Sequence, residues 1–175
     1  MILSFIINKK GNFEMTHVIH EIPPVYDDRS KILILGSFPS VKSREGQFFY
    51  HHKQNRFWKV LAAVFEDTLP ETIEEKKEFL LRHNIAIWDV IAACDIEGSS
   101  DSSIKNAVPN DFSFILKPAP IRQIYTNGGT AYKLYHKYCE KVTGFEAVKL
   151  PSTSPANASY SLERLISQWN QISNT

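Results

Sequence analysis

Short runs of apolar residues alternate along this chain with segments whose apolar residues recur every three or four positions. Four of these runs are bounded by turn residues and predict strands, at residues 32–35, 85–88, 121–126 and 145–150. The runs at residues 32–35 and 85–88 are continuous rather than alternating, which is typical of strands buried on both faces in a parallel sheet. Because helical segments separate the strands, the pattern predicts an α/β fold, a three-layer α/β/α sandwich around a central four-stranded parallel sheet.

The helices are predicted from spacing and from capping residues. Thr72 and Glu75 form a capping-box pattern at the start of a helix expected over residues 72–83. Residues 95–103 are expected to be a polar loop, in which Asp101 or Ser102 caps a short helix that runs to residue 107. The other helices are expected at residues 55–65, 109–116, 130–141 and 162–171.

The length of 175 residues is enough for one domain with its own hydrophobic core. The apolar run at residues 2–7 is too short for a membrane span and lacks the basic start of a secretory signal. We expect residues 1–14 to be an N-terminal extension, either disordered or a mis-assigned start, and residues 15–175 to form the single domain.

Charge and cysteine content narrow the class of protein. The net charge of +1 creates no global field toward nucleic acid, so an anionic partner must be held by a local patch and by backbone amides. Cys94 and Cys139 lie far apart and form no CxxC pair. This argues for a reducing, cytoplasmic location and against a disulfide framework or a metal centre.

The four predicted strands end in GSFPS, WD, NGG and PSTSPANA. Each ending also fits an ordinary turn or solvated loop, but in a parallel sheet all four fall at one edge, where open α/β sheets bind ligands. The chain has no Walker A lysine, GxGxxG or GxSxG sequence, and His51 and His52 are adjacent and therefore poor partners on one metal. We therefore expect no cofactor and no metal, and a cleft suited to a flat heterocycle and a phosphate backbone.

Two separated motifs carry a resemblance to a known family. The GSFPS loop followed by FFYHHKQNRFW resembles motif 1 of the uracil-DNA glycosylase superfamily, and PSTSPANA resembles motif 2 of its hypoxanthine-DNA glycosylase branch, also called the deoxyinosine glycosylases. The segments IAIWDVIAAC, SSIKNAVPNDF and YTNGG are similar to that branch too. The resemblance covers about residues 22–172 and implies the same sandwich fold.

The resemblance implies a monofunctional DNA glycosylase of base excision repair. Such an enzyme flips a deaminated base out of the duplex and hydrolyses its N-glycosidic bond, which makes damaged DNA the expected partner. Hypoxanthine is the expected substrate, with xanthine as a second one, and the protein is expected to act as a monomer without a membrane. Relatives that remove uracil carry Asp or Asn where this chain has Phe38, and many carry a histidine where it has Ser152; both departures argue against efficient uracil removal.

The resemblance also implies roles for individual residues. Asn55, before the R-F-W sequence, is the expected catalytic residue and positions a water through its amide oxygen, although it also fits a helix N-cap. Tyr50 is expected to stack on the flipped base, or else to pack in the core. Asp89 is expected to accept a hydrogen bond from hypoxanthine N1–H, or else to cap a helix. The backbone amides of Ser37 and Phe38 are expected to bind the oxygen of the leaving base.

The remaining expected contacts lie in the same loops. Base-binding walls are expected from Gly36 and Pro39, and phosphate contacts from Ser40, Lys42 and Asn127. The minor groove is expected to receive the second motif, Ser152, Thr153, Ser154, Pro155, Ala156 and Asn157. Two other interpretations stay open: a uracil or mismatch glycosylase, and a non-catalytic DNA-binding module of the same fold that lost its water-activating group, as Phe38 suggests.

Overall fold

The computed structural model of the protein describes residues 14–175, so all but the last residue of the predicted N-terminal extension lies outside it. Its strands are β1 (Met15–Ile19), β2 (Ile32–Gly36), β3 (Ile85–Asp89), β4 (Ile91–Glu97), β5 (Lys105–Pro109), β6 (Gln123–Asn127) and β7 (Ala147–Leu150). Its helices are α1 (Val41–Gly46), α2 (Phe57–Val64), α3 (Ile73–Arg82), α4 (Ser113–Leu116), α5 (Gly129–Tyr138), α6 (Glu140–Thr143) and α7 (Leu162–Trp169). Short 3-10 turns cover Asp101–Ser103 and Asn170–Asn174.

The central sheet is parallel throughout and has the strand order β3-β2-β6-β7. Every residue of β2 and β3 is buried, as the continuous apolar runs of these strands indicate. The register pairs Gly36 with Asp89 and Asn127 with Leu150, so the polar ends of the strands meet at one edge. With helices flanking this sheet, the predicted fold class is confirmed.

The helices pack against the central sheet or against one another through their apolar faces. α5 contacts β6 and β7, α3 contacts β3, and α2 packs against α7. The predicted capping box is present: the Thr72 side chain accepts from the Glu75 amide, and the Glu75 carboxylate accepts from the Thr72 amide. The helix expected over residues 130–141 is present as α5 and α6, with Cys139 between them. Among the described residues, no helix is long and apolar enough to cross a membrane.

A second sheet corrects one part of the prediction. β1, β4 and β5 form an antiparallel sheet in the order β1-β4-β5, and the short helix expected from Asp101 or Ser102 to residue 107 is wrong. Only a 3-10 turn forms there, because the following residues pair with β4. Asn106, in the left-handed region at φ 50°, donates its side-chain amide to Asp95 at 2.7 Å and helps to hold this pairing.

Candidate active site

The polar strand ends enclose a cavity of about 900 Å³ at the carboxyl edge of the central sheet, hereafter the cleft. It is also lined by the turn between β4 and β5, which sequence reasoning had not placed there. The structure brings nearly every predicted site residue to this cavity, Thr153 being the one that does not line it. The lining members are Gly36, Ser37, Phe38, Pro39, Ser40, Lys42, Tyr50, Asn55, Asp89, Asn127, Ser152, Ser154, Pro155, Ala156 and Asn157.

Asp89 lies at the end of β3 and is held by a histidine that sequence reasoning missed. Its Oδ2 accepts a hydrogen bond from His20 Nε2 at 2.7 Å, and the His20 side chain is only 1% exposed. The other ring nitrogen of His20 accepts from the Ile22 amide at 3.2 Å, so the hydrogen of a neutral ring must lie on Nε2. His20 therefore fixes the orientation of the Asp89 carboxylate, and Oδ1 receives no hydrogen bond from any described residue.

Gly36 is required by the close approach of two side chains. A Cβ atom at this position would lie 2.3 Å from Asp89 Oδ1 and 3.0 Å from the Tyr50 hydroxyl oxygen. The first distance is shorter than any van der Waals contact, so no residue with a side chain fits without displacing the carboxylate. Gly36, the last residue of β2, is thus part of the site rather than only a turn residue.

Tyr50 is held rigidly beneath the cleft. Its backbone is in the left-handed region at φ 51°, and its ring stacks on Phe57 with the centroids 3.9 Å apart and the planes inclined by 24°. Burial, reinforced by the negative charge of Asp89, raises the pKa of Tyr50 far above its usual range, so its hydroxyl remains protonated. Because Phe57 covers one face of the ring, only the other face can serve the predicted stacking on a base.

A second carboxylate faces the cleft. Asp101 Oδ2 accepts a hydrogen bond from the Ser37 hydroxyl at 2.6 Å, which links the β4–β5 turn to the loop after β2. Burial and the nearby charge of Asp89 raise the pKa of Asp101 above its usual value. The sequence offered Asp101 only as a helix cap, since its placement depends on a sheet that was not predicted.

Phe38 forms a wall of the cleft and cannot orient a water. Its side chain is buried, with the His20 ring edge-on at a centroid distance of 5.9 Å and the Arg44 guanidinium 5.8 Å from its ring centre. Arg44 in turn donates to the Gly98 carbonyl at 2.7 Å. The position at which uracil-removing relatives are expected to carry a polar side chain is therefore apolar and closed on this chain.

Asn55 belongs to a hydrogen-bond chain that runs through Thr153 to Asn127. Its Oδ1 accepts from the Phe57 amide at 3.0 Å and from the Thr153 hydroxyl at 2.9 Å. The Thr153 hydroxyl accepts from Asn127 Nδ2 at 2.9 Å, and Asn127 Oδ1 accepts from the Thr153 amide at 3.0 Å. Helix α2 begins at Phe57 with Arg56 in the capping position, so Asn55 supports the helix start from one residue earlier than an N-cap.

These hydrogen bonds change the interpretation of Asn55, Thr153 and Asn127. Two protein donors occupy Oδ1 of Asn55, which leaves Nδ2, and not the predicted amide oxygen, to meet a ligand. Thr153 is fully buried, so the expectation that its side chain enters the minor groove is wrong; it anchors the loop instead. Asn127 uses its amide oxygen and one N–H on Thr153, and its side-chain amide also lies near the Tyr50 hydroxyl; the phosphate contact of Asn127 stays a prediction.

Arg56 organises the loop at residues 151–158, a role that sequence reasoning missed. Its guanidinium donates to the carbonyls of Ser154 at 2.7 Å, Asn157 at 3.0 Å and Thr153 at 3.4 Å, and also to that of Tyr160. Its backbone amide donates to the Thr153 carbonyl at 3.1 Å. Since these partners are backbone carbonyls, only the position of Arg56 beside Asn55 could have drawn attention to it.

Replacing Arg56 with lysine should loosen this loop. Lysine keeps the charge, but its single ammonium cannot reach carbonyls spread along the loop as the guanidinium does. We expect Arg56→Lys to lower the free energy of unfolding by about 2 kcal/mol, the scale of one charged hydrogen bond. We expect the catalytic efficiency on damaged DNA to fall roughly tenfold as the loop loses its geometry.

Thermal unfolding and steady-state kinetics measure both effects. Arg122→Lys provides the control, because Arg122 is exposed and does not line the cleft. Equal stability and catalytic efficiency of the Arg56→Lys and Arg122→Lys proteins would show that the guanidinium contacts do not hold the loop.

The rim of the cleft carries the groups expected to meet phosphate. Ser40 caps α1, its hydroxyl accepting from the Ser43 amide at 3.1 Å, and Lys42 is exposed and paired with Glu45 at 3.0 Å. Lys149 also lines the cleft and was missed by sequence reasoning, because it falls within β7. The rim thus offers two local cations to an anionic backbone although the chain is almost neutral.

The fold and the cleft agree with comparisons to known proteins. The chain belongs to the uracil DNA glycosylase superfamily, whose family model matches residues 23–172. Within it, the chain is 38% identical over 152 residues to a hypoxanthine DNA glycosylase of Methanosarcina acetivorans, covering 86% of this chain and 94% of that protein. A hypoxanthine DNA glycosylase of Methanosarcina barkeri is 35% identical over 136 residues, covering 77% of this chain and 85% of the relative. The expected family membership is confirmed.

A solved structure supports the same assignment. The solution NMR structure of a Methanosarcina acetivorans protein, provisionally described as a uracil DNA glycosylase, superposes with a TM-score of 0.76 at 34% sequence identity. The match covers 89% of this chain and 97% of that one.

Proposed function

We propose that this DNA glycosylase removes hypoxanthine from DNA, with xanthine as a second substrate. The observation that carries the proposal is Asp89, a carboxylate fixed by His20 at the base of the cleft with one oxygen free to accept a hydrogen bond. Hypoxanthine presents an N1–H to such an acceptor, whereas adenine presents a lone pair at the same position and would be repelled. The two similar proteins named hypoxanthine DNA glycosylase support the same substrate.

The proposed reaction is hydrolysis of the bond between C1′ of the sugar and N9 of the base. The electron pair of that bond leaves with the base, C1′ becomes oxocarbenium-like, and a water oxygen then bonds to C1′. The proton that this water loses passes through solvent to the departed base anion, which leaves as the neutral base. Asn55 holds this water by donating from Nδ2, because its Oδ1 is already occupied. Such a residue orients the water without deprotonating it, which suits a reaction in which the carbon–nitrogen bond breaks early.

The predicted oxyanion contact completes this scheme. The backbone amides of Ser37 and Phe38 lie in the loop at the end of β2, on the cleft wall, and are proposed to donate to the oxygen of the leaving base. Phe38 is apolar and Ser152 has only a small hydroxyl side chain, so neither residue supplies the group proposed for uracil removal in relatives. This difference disfavours uracil as the substrate.

DNA binding is proposed to occur across the rim. The loop held by Arg56 presents Ser152, Ser154, Pro155, Ala156 and Asn157 toward the minor groove, and Lys42 and Lys149 face the backbone. We propose that the protein acts as a monomer, since one chain supplies all the groups named here. A cytoplasmic location fits the two free, buried cysteines.

A base-excision panel tests this function. The protein is incubated with oligonucleotides that contain one hypoxanthine, xanthine, uracil or adenine, as single strands and as duplexes, and abasic sites are detected by alkaline cleavage. We expect efficient release of hypoxanthine, slower release of xanthine, and little release of uracil or adenine. Uracil release faster than hypoxanthine release would favour the uracil or mismatch glycosylase, and tight binding without any abasic product would favour the non-catalytic module.

A further inference from the structure

The Tyr50 hydroxyl is a buried polar group without a hydrogen-bond partner among the described residues. The side-chain amide of Asn127 lies near the hydroxyl and lowers the pKa of Tyr50 against the larger effect of burial, but the hydroxyl makes no hydrogen bond of ordinary geometry. A buried donor without an acceptor is costly, so such a group calls for an explanation. Tyr50 lines the cleft, so a ligand bound against this wall could supply the missing acceptor.

The hydroxyl lies beside the free oxygen of Asp89. Both atoms approach the same point above Gly36, the hydroxyl oxygen at 3.0 Å and Asp89 Oδ1 at 2.3 Å from the position of a Cβ there. Neither side chain is free to turn away. Tyr50 is clamped by its stacking on Phe57 and by its left-handed backbone, and Asp89 by its hydrogen bond to His20.

The two atoms form a donor next to an acceptor. The pKa of Tyr50 lies far above its usual range, so the hydroxyl stays protonated and can donate a hydrogen bond at every physiological pH. The matching ligand edge has a carbonyl oxygen next to an N–H, as in a lactam. Hypoxanthine carries this edge at O6 and N1–H, whereas adenine reverses it with an amino group and a lone pair.

We propose that Tyr50 selects hypoxanthine over adenine by donating its hydroxyl to O6 of the flipped base, while Asp89 accepts from N1–H. This inference rests on the proposed function and assigns Tyr50 a directional hydrogen bond in place of the predicted stacking. It explains why a tyrosine, rather than a phenylalanine, occupies a position where ring packing on Phe57 alone would suffice. It also accounts for a buried hydroxyl that has no acceptor among the described residues.

Tyr50→Phe isolates the hydroxyl, since phenylalanine keeps the ring and its packing on Phe57. We expect single-turnover excision of hypoxanthine to fall about 10- to 100-fold, the cost of a lost hydrogen bond to a buried group. Tyr125→Phe is the control: it removes a buried hydroxyl that bonds to Thr175 at 2.6 Å, outside the cleft, and should leave the excision rate unchanged. Thermal unfolding shows whether each variant is folded.

Asp89→Asn tests the other half of the pair with a different readout. An amide can present N–H to the lone pair of adenine N1, so the variant should lose its preference for a hypoxanthine duplex over an adenine duplex in competition binding. Wild-type excision of hypoxanthine with an unchanged rate for Tyr50→Phe would overturn the inference and leave the proposed function standing. Wild-type protein that releases no hypoxanthine would overturn the proposed function, and this inference with it.

Discussion

Replacing Gly36 with alanine is expected to lower hypoxanthine excision by roughly 100-fold and to destabilise the fold. The new Cβ would lie 2.3 Å from Asp89 Oδ1, which cannot withdraw because Asp89 is buried and bonded to His20. Overpacking of this kind costs about 1–3 kcal/mol of stability. A displacement of about 1 Å in a group that positions substrate can cost roughly 100-fold in rate, so activity should suffer even where the protein folds.

A second glycine provides the matched control for this experiment. Gly129 is the first residue of α5, and a Cβ there would meet no atom within 4 Å. Gly129→Ala should therefore be neutral or stabilising, because alanine is the better helix former. Chemical denaturation compares the stability of the two variants, and the excision rate of Gly36→Ala is compared with the wild type, because Gly129 also lines the cleft. A Gly36→Ala protein as stable as Gly129→Ala and as active as the wild type would show that the contact above Gly36 is not needed.

Replacing Asn55 with alanine is expected to lower hypoxanthine excision by at least about 100-fold, the scale of a lost positioning group in general catalysis. The variant loses Nδ2, which is proposed to hold the water, and it also leaves the Phe57 amide and the Thr153 hydroxyl without their acceptor. Loss of those two hydrogen bonds should cost about 1–2 kcal/mol of stability.

Asn55→Asp separates the chemical effect from the structural one. Aspartate keeps an oxygen that can accept from Phe57 and Thr153, but it replaces the donating Nδ2 with a second acceptor. We expect this variant to be about as stable as the wild type and nearly as inactive as Asn55→Ala. The pair of variants therefore distinguishes an orienting donor from a structural anchor.

The central sheet could be predicted because its strands carry the strongest pattern that a sequence offers. The four predicted strands are present as β2, β3, β6 and β7, and the polar residues at their carboxyl ends meet at one edge of the sheet. Thr72 and Glu75 marked the start of α3 by a local rule that needs no tertiary information. The location of the cleft followed from these elements alone.

The antiparallel sheet could not be predicted in the same way. β5 has no buried residue, and β4 mixes buried and half-exposed positions, so neither shows a clear period of two. The polar composition of the segment around Asp101 favoured a loop and a short helix. Without that sheet, the placement of His20 and Asp101 beside the cleft could not be predicted, since each forms a hydrogen bond with a residue more than 60 positions away in the sequence.

The hydrogen bonds that link Asn55, Thr153 and Asn127 show a different limit of prediction from sequence. The sequence identified Asn55, Asn127 and the second motif as candidates, but residue type cannot say which atoms of an amide are already occupied. The structure assigns Oδ1 of Asn55 to Thr153 and Phe57, and it buries Thr153. Arg56 went unrecognised for a related reason, because its partners are carbonyls of the backbone.

The most direct test of this account is the single-turnover rate of hypoxanthine release from a duplex by the wild-type, Asn55→Asp and Asn55→Ala proteins. Enzyme is held in excess over DNA so that product release does not limit the rate, and binding to an undamaged duplex is measured alongside. We expect release by the wild type, a loss of at least about 100-fold in both variants, and similar DNA affinity in all three proteins. Full-rate release by Asn55→Asp or Asn55→Ala would contradict it.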